Sequence, residues 1–242
     1  MRAIQYAFRH LNRRMAPSIL NMMLEEHGCR DNPIWLISDS NPPNEKGVRF
    51  PLDPRHPTRH SIWTPILDVI QETVFPLRLN AGGYGLGEGV LYVRNAVQKP
   101  SHRFQAHEVT KQVIALRSLA SRHRPVIVLT FGRFAFHIFQ VALETTVHEV
   151  EATELSKWRT TTVETLRQEF SKRVADDRYT IVPLLHQVIA RSFNYAHDNF
   201  SSETGDKNYF VYSGTEIGQR LLRFHRDAPI WRVTPTPTNN RL

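Results

Sequence analysis

Three short apolar runs in this chain each stop at a side chain able to do chemistry. Ile34 to Ile37 runs into Ser38-Asp39-Ser40-Asn41-Pro42-Pro43, Val90 to Val93 into Arg94-Asn95, and Tyr179 to Pro183 into Leu184-Leu185-His186. A carboxylate such as Asp39, or Glu45 just beyond, can take a proton, whereas the amide of Asn41 can only position a water. A neutral imidazole at His186 can donate to an oxygen that gains charge. Asn95 offers a donor and an acceptor together, the match for an amide-like edge. The same residues also have plain structural uses: Asp-Ser-Asn-Pro as a turn held by Asx hydrogen bonds, Asn95 as a strand-end cap, and His186 as packing. Both readings stand at the level of residues alone.

The elements that must position these groups alternate along the chain. The three runs above, with the wholly apolar Pro125 to Thr130, give four strands, and a buried strand ending in a polar, Pro-bearing loop is where open α/β sheets place ligands. Helical spacing covers 105 to 122 through Val109, Val113, Leu116 and Leu119. Gly132 then opens a helix through Phe134, Ile138 and Val141. A capped helix is expected from Ser61 through Val74, a peripheral one over Val163 to Val174, and one more over Thr215 to Phe224. Residues 1 to 28 place Ile4, Phe8, Leu11, Met15 and Ile19 at helical spacing, with Pro17 dividing the segment. The expected fold is therefore α/β: a three-layer α/β/α sandwich around a mainly parallel four-stranded sheet. It forms a single domain over 1–242, with a core of about 33–200, a helical segment 1–28, and a helix and mobile tail over 201–242.

Composition narrows the partner. With 31 Lys plus Arg against 23 Asp plus Glu, the formal charge is +8, which favours a polyanion, nucleic acid first. The single cysteine, Cys29, rules out an internal disulfide framework, a zinc ribbon or a cysteine-ligated cluster within one chain, and fits a reducing cytoplasm. The N-terminus has no continuous apolar stretch, so neither a secretory signal nor a membrane partner is expected. The Gly-rich stretch 81–89 precedes a strand rather than a helix and so makes no phosphate-binding fingerprint. His107-Glu108 and His148-Glu149 lack the second His of a metalloprotease motif. No metal and no cofactor are expected.

Taken in order, these strand ends resemble the uracil-DNA glycosylase superfamily over about residues 33 to 195. Asp39-Ser-Asn41-Pro42-Pro43 is similar to that family's Gly-x-Asp-Pro or Gly-x-Asn-Pro loop. Gly47-Val-Arg-Phe50 looks like the segment whose Phe stacks on a flipped base. Leu91-Tyr-Val-Arg-Asn95-Ala-Val-Gln-Lys99-Pro100 is similar to the strand ending in Asn, and Val126-Ile-Val-Leu-Thr-Phe-Gly132-Arg-Phe-Ala135 to the strand and Leu-Gly-x-x-Ala helix start. His186 stands where the family's His-Pro-Ser begins. The resemblance implies a monofunctional DNA glycosylase, a cytoplasmic monomer acting on double- or single-stranded DNA. Asn41, His186 and Asp39 would be catalytic. Asn95, Phe50, Pro42 and Pro43 would hold the base, and Lys99, Arg103, Arg191 and Arg59 would hold DNA, with Ile189, Arg191 or Phe193 as the duplex wedge.

The departures concern the substrate. Asp39 stands in place of the first Gly, Gln187-Val188 in place of Pro-Ser, and the cluster cysteines of some branches are missing. Where the uracil-specific branch has a bulky Tyr after Asp-Pro, this chain has Pro43, a smaller gate. The resemblance thus implies a base larger than uracil: a modified or damaged pyrimidine, such as a C5-modified phage cytosine met in antiphage defence. Plain uracil excision in base-excision repair is the alternative, and a non-catalytic DNA-binding module on the same fold is a further one.

Overall fold

Every apolar run that ends on a functional side chain forms a strand in the computed structural model, which describes residues 26–41, 50–51, 64–74, 91–145, 155–186, 189–190 and 209–225. In chain order the elements are β1 (Glu26–His27), β2 (Ile34–Ser38), α1 (Thr64–Val74), β3 (Tyr92–Asn95), α2 (Ala106–His123), β4 (Ile127–Phe131), α3 (Arg133–Glu144), α4 (Val163–Val174), β5 (Ile181–Leu184) and α5 (Tyr209–Phe224). Two 3-10 turns, Pro100–Phe104 and Lys157–Arg159, lie between them. Residues 1–25, 42–49, 52–63, 75–90, 146–154, 187–188, 191–208 and 226–242, the Gly-rich stretch 81–89 among them, lie outside the described residues.

The fold is α/β with a mostly parallel sheet, but the sheet has five strands rather than four, in the order β1-β3-β2-β4-β5. The extra strand is Glu26–His27, in a segment read as helical. It pairs antiparallel with β3, Glu26 opposite Arg94 and His27 opposite Val93. A two-residue edge strand carries too few residues to show the period of two, so helical spacing upstream masks it. Its register is fixed by polar contacts: Arg94 Nη1 donates to Glu26 Oε2 at 3.0 Å, and the Tyr92 hydroxyl donates to the same carboxylate.

The other four strands run parallel, with Leu36 of β2 paired to Val93 on one side and to Leu129 on the other. Strands covered on both faces read as unbroken apolar runs, and Trp35, Leu36, Ile37, Ile127, Val128 and Leu129 are all fully buried. Trp35, Tyr92 and Arg94 share one face of the sheet, and α2 packs there. Arg94 Nη2 donates to Gln112 Oε1 at 2.8 Å, and Trp35 lies 6.5 Å from the His123 ring. Helix α4 begins where Thr162 accepts from the Thr165 amide at 3.1 Å. Its Arg173 is buried and ties it to α3 and β5 through Glu144 and the Ile181 carbonyl, while Glu169 of the same helix accepts from Nε. Arg220 of α5 closes the same region by donating to the carbonyls of Arg173 and Tyr179.

Helix α5 starts six residues before the expected Thr215, although Tyr209-Phe-Val-Tyr212 is a run of high strand propensity. Packing against α1 overrides that preference. Gly214 and Gly218, four apart, line one face of α5. A β-carbon on Gly214 would lie 2.6 Å from Val69 Cβ and 2.8 Å from the Ile66 carbonyl oxygen, and one on Gly218 would lie 2.6 Å from Thr73 Cβ. The two helices thus approach to backbone contact. Gly214→Ala gains about 1 kcal/mol of helix propensity but overpacks the crossing at a cost of about 1–3 kcal/mol. We expect its urea midpoint to fall; a rise, as at a free helical glycine, would contradict the close crossing.

Candidate active site

The parallel strands set up the site by their order. The chain leaves β2 for β3 on one side and then crosses to β4 on the other, which makes the carboxyl ends of β2 and β4 a topological switch point, the place where open α/β sheets have their ligand crevice. Pairing continues beyond the strands on the β3 side: the Ala96 amide donates to the Ser38 carbonyl at 2.8 Å, Val97 to Asp39 at 3.1 Å, and Asn41 to Gln98 at 3.1 Å. This backbone ladder carries Asp39 and Asn41 into the interior, where loop residues seldom go.

Asn41 and Asn95 are both buried, and the Asn95 amide nitrogen donates to Asn41 Oδ1. The two amides are thus brought together as one unit. Asp39 is 7% exposed; its Oδ2 accepts from Arg103 Nη1 at 2.9 Å, while its Oδ1 has no hydrogen-bond partner among the described residues. Burial pushes the carboxyl up to about 6, and the charges of Arg103 and Arg133 work against that rise. A buried carboxylate titrating near neutrality, with one oxygen unengaged, is the form a general base takes. Arg103, expected on phosphates, is here the partner of Asp39.

His186 follows β5 and is half-buried. Burial, then the charge of Arg103, lowers its pKa from the ordinary value, so the imidazole is neutral at pH 7. Gly132 sits against it: its amide donates to the Leu184 carbonyl at 2.8 Å, its φ is +100°, and a β-carbon there would lie 2.9 Å from His186 Cβ. Only glycine combines that backbone with that approach. Gly132 also caps α3, so the positive end of that helix and Arg133 face the same crevice.

Phe50 is buried and stacks on His27, ring centroids 3.9 Å apart and 18° from parallel. His27 pairs with Val93, two residues before Asn95, so His27 and Asn95 project from the same side of the sheet. Lys99 is exposed at the start of the 3-10 turn that carries Arg103. Ile189, one of the wedge candidates, packs half-buried against the core. Pro42, Pro43, Arg59 and Arg191 lie outside the described residues, as do Glu45 and Phe193. What the sequence reading missed are the Arg103–Asp39 pair and the role of Gly132 beneath His186. The first joins residues 64 apart and left no local signal; the second was visible only as a turn glycine.

A cavity of about 790 Å³ lies elsewhere, between α3, α4 and the 157–161 turn, lined by Gln140, Glu144, Thr161 and Thr165 among others. It includes none of the strand-end residues. Among the described residues no group of three or more His, Cys, Asp or Glu side chains is placed to hold a metal, and no described helix is long and apolar enough to cross a membrane. No protein-family model matches the chain, and no curated protein matches its sequence.

The raised titration of Asp39 is also a statement about stability. Between its ordinary 3.8 and about 6, the folded protein keeps a proton that the unfolded chain has lost, so stability falls as pH rises through that window and then levels. Asp39→Asn removes the burdened charge, and at pH 7.5 it should stabilise the fold by on the order of 1–3 kcal/mol. Urea unfolding of wild type and variant at pH 4.5 and 7.5 checks this: the gap is expected to widen toward neutral pH, and an equal gap at both would count against a strained carboxylate.

Proposed function

We propose that this chain is a monofunctional DNA glycosylase that hydrolyses the bond between a flipped, modified or damaged pyrimidine and its deoxyribose, leaving an abasic site. The single observation that carries the reading is the convergence, at the ends of parallel strands, of a buried half-partnered Asp39, the Asn41–Asn95 pair and a neutral His186. Each suits one requirement of the reaction. As the glycosidic C–N bond breaks, its electron pair leaves with the base, and His186 donates to the base oxygen that gains charge. The ionised Asp39 faces the cationic sugar and takes a proton from the water whose oxygen bonds to the anomeric carbon. Asn95 meets the base edge and Asn41 orients the water, while Phe50 lends a ring for stacking.

The reading takes the sheet with helices on both faces as a three-layer α/β/α sandwich, and the protein as a cytoplasmic monomer. A C5-modified pyrimidine, in antiphage defence, is favoured over uracil because Pro43 is small where the resemblance expects a bulky gate.

The test is a panel of DNAs carrying uracil, mismatched thymine, hydroxymethylcytosine or its glucosylated form, with abasic sites scored by alkaline cleavage. We expect product from a modified pyrimidine and none without alkali. The rate should drop tenfold per pH unit below about 6, where Asp39 takes up its proton, and plateau above. Asp39→Asn should lose about 10²- to 10⁴-fold, and Asn41→Ala should lose product as well. Product from uracil alone would favour the repair enzyme. No product from any substrate, with DNA binding intact, would leave a binding module.

A further inference from the structure

Beside the crevice stands a surface that the proposed chemistry does not use. Phe104 ends the 3-10 turn after β3 and is 61% exposed. It is not loosely held. Its ring lies 5.8 Å from that of Trp158, which is buried and meets Phe134 edge-on at 5.2 Å, so three aromatic rings run from the surface into the base of α3. Guanidinium groups lie over these rings: Arg103 is 5.9 Å and Arg159 5.4 Å from the Phe104 centroid, while Arg133 is 5.5 Å from that of Trp158. Lys99 and Lys157, both exposed, open the two turns that bring these groups together. Glu108 at the start of α2 faces His102 and His107.

We infer that Phe104 is a stacking platform for an unpaired nucleobase of a DNA strand, with Arg159 and its neighbouring cations on the flanking phosphates. A ring 61% exposed and backed by a buried aromatic column offers its area to a base, and the guanidinium groups over it stack on that base or turn to its phosphates. The surrounding positive charge matches the backbone that any such base carries. Arg103 joins the platform to the crevice, since the guanidinium beside Phe104 also holds Asp39. The platform thus receives the nucleotide next to the one in the crevice. The choice of DNA rests on the glycosylase reading; the stacking itself does not require that any base be cut.

The experiment is fluorescence anisotropy of the full-length protein with a labelled 12-mer of oligodeoxythymidine and with a 12-mer of abasic deoxyribose phosphates, for wild type, Phe104→Ala and Phe104→Trp. Phe104→Ala should weaken binding of the thymidine strand about 5- to 100-fold, Phe104→Trp should restore it, and neither change should alter affinity for the abasic strand. Since Phe104 is exposed, the thermal midpoint of Phe104→Ala should match wild type. Equal affinity of Phe104→Ala and wild type for thymidine would overturn the platform. So would an equal loss on both strands, which means charge alone, or a loss of self-association in place of DNA binding, which means a contact between copies. Base excision is not read in this assay, so a failed glycosylase reading and a failed platform give different results.

Discussion

Holding a carboxylate in the interior with one oxygen unpartnered costs free energy that the rest of the fold must offset, and among the described residues Asp39 is held in that state. Its charge is opposed by burial and relieved on one side by Arg103, which itself is fixed by a further bond from Nε to the Pro100 carbonyl at 3.2 Å. The arrangement persists only because the loop after β2 cannot swing out to water. Three backbone hydrogen bonds to the segment after β3 hold it in place. The central position of β2, between β3 and β4, supplies the rigid base from which that loop departs. Sheet order, loop pairing and the ion pair thus act as one device that keeps a near-neutral carboxyl dry.

The remaining packing protects that device. Helices α1 and α5 meet through glycines at near backbone contact, and α4 is tied to α3, β5 and α5 through two buried arginines, Arg173 and Arg220. Buried guanidinium groups are costly unless their donors are satisfied. Arg173 meets this condition with two carboxylates and a carbonyl. Among the described residues Arg220 is paired to backbone carbonyls and its Nε has no partner; burial lowers its pKa to about 10. These ties lie away from the crevice and leave the strand ends to chemistry.

Much of this frame was legible in the sequence because the signals were local and strong. Parallel strands buried on both faces must be continuous apolar runs, and β2, β3, β4 and β5 each begin or end within two residues of theirs. The helix after Gly132 was legible because a glycine turn between strand and amphipathic helix has few alternatives. β1 was not, being two residues long and held by Glu26 contacts to Tyr92 and Arg94, 66 and 68 residues away. The early start of α5 was hidden by strand-favouring aromatics whose preference yields to helix packing. In the site, Asp39, Asn41, Asn95 and His186 were visible as strand-end residues. Their pairings were not, because an amide pair 54 residues apart or an ion pair 64 apart leaves no spacing to read.

The unexpected strand bears on the site as much as on the sheet. An aromatic ring that receives a flat ligand works best when its far face is covered, since a ring free to tilt loses both area and orientation on binding. β1 fixes His27 by register opposite Val93, and His27 lies nearly parallel to Phe50 at 3.9 Å. One face of Phe50 is therefore covered by an imidazole whose own position the sheet register holds. The loop departs from the resemblance in a related way. The amide oxygen of Asn41, at the position where a catalytic Asp or Asn is expected, is taken by Asn95. The carboxylate with a vacant oxygen stands two residues earlier, at the position of the expected glycine. A glycine there would leave Arg103 without its carboxylate partner. Along this loop, the proposed reading therefore assigns the acid–base role to Asp39 and the polar contact role to the Asn41–Asn95 pair.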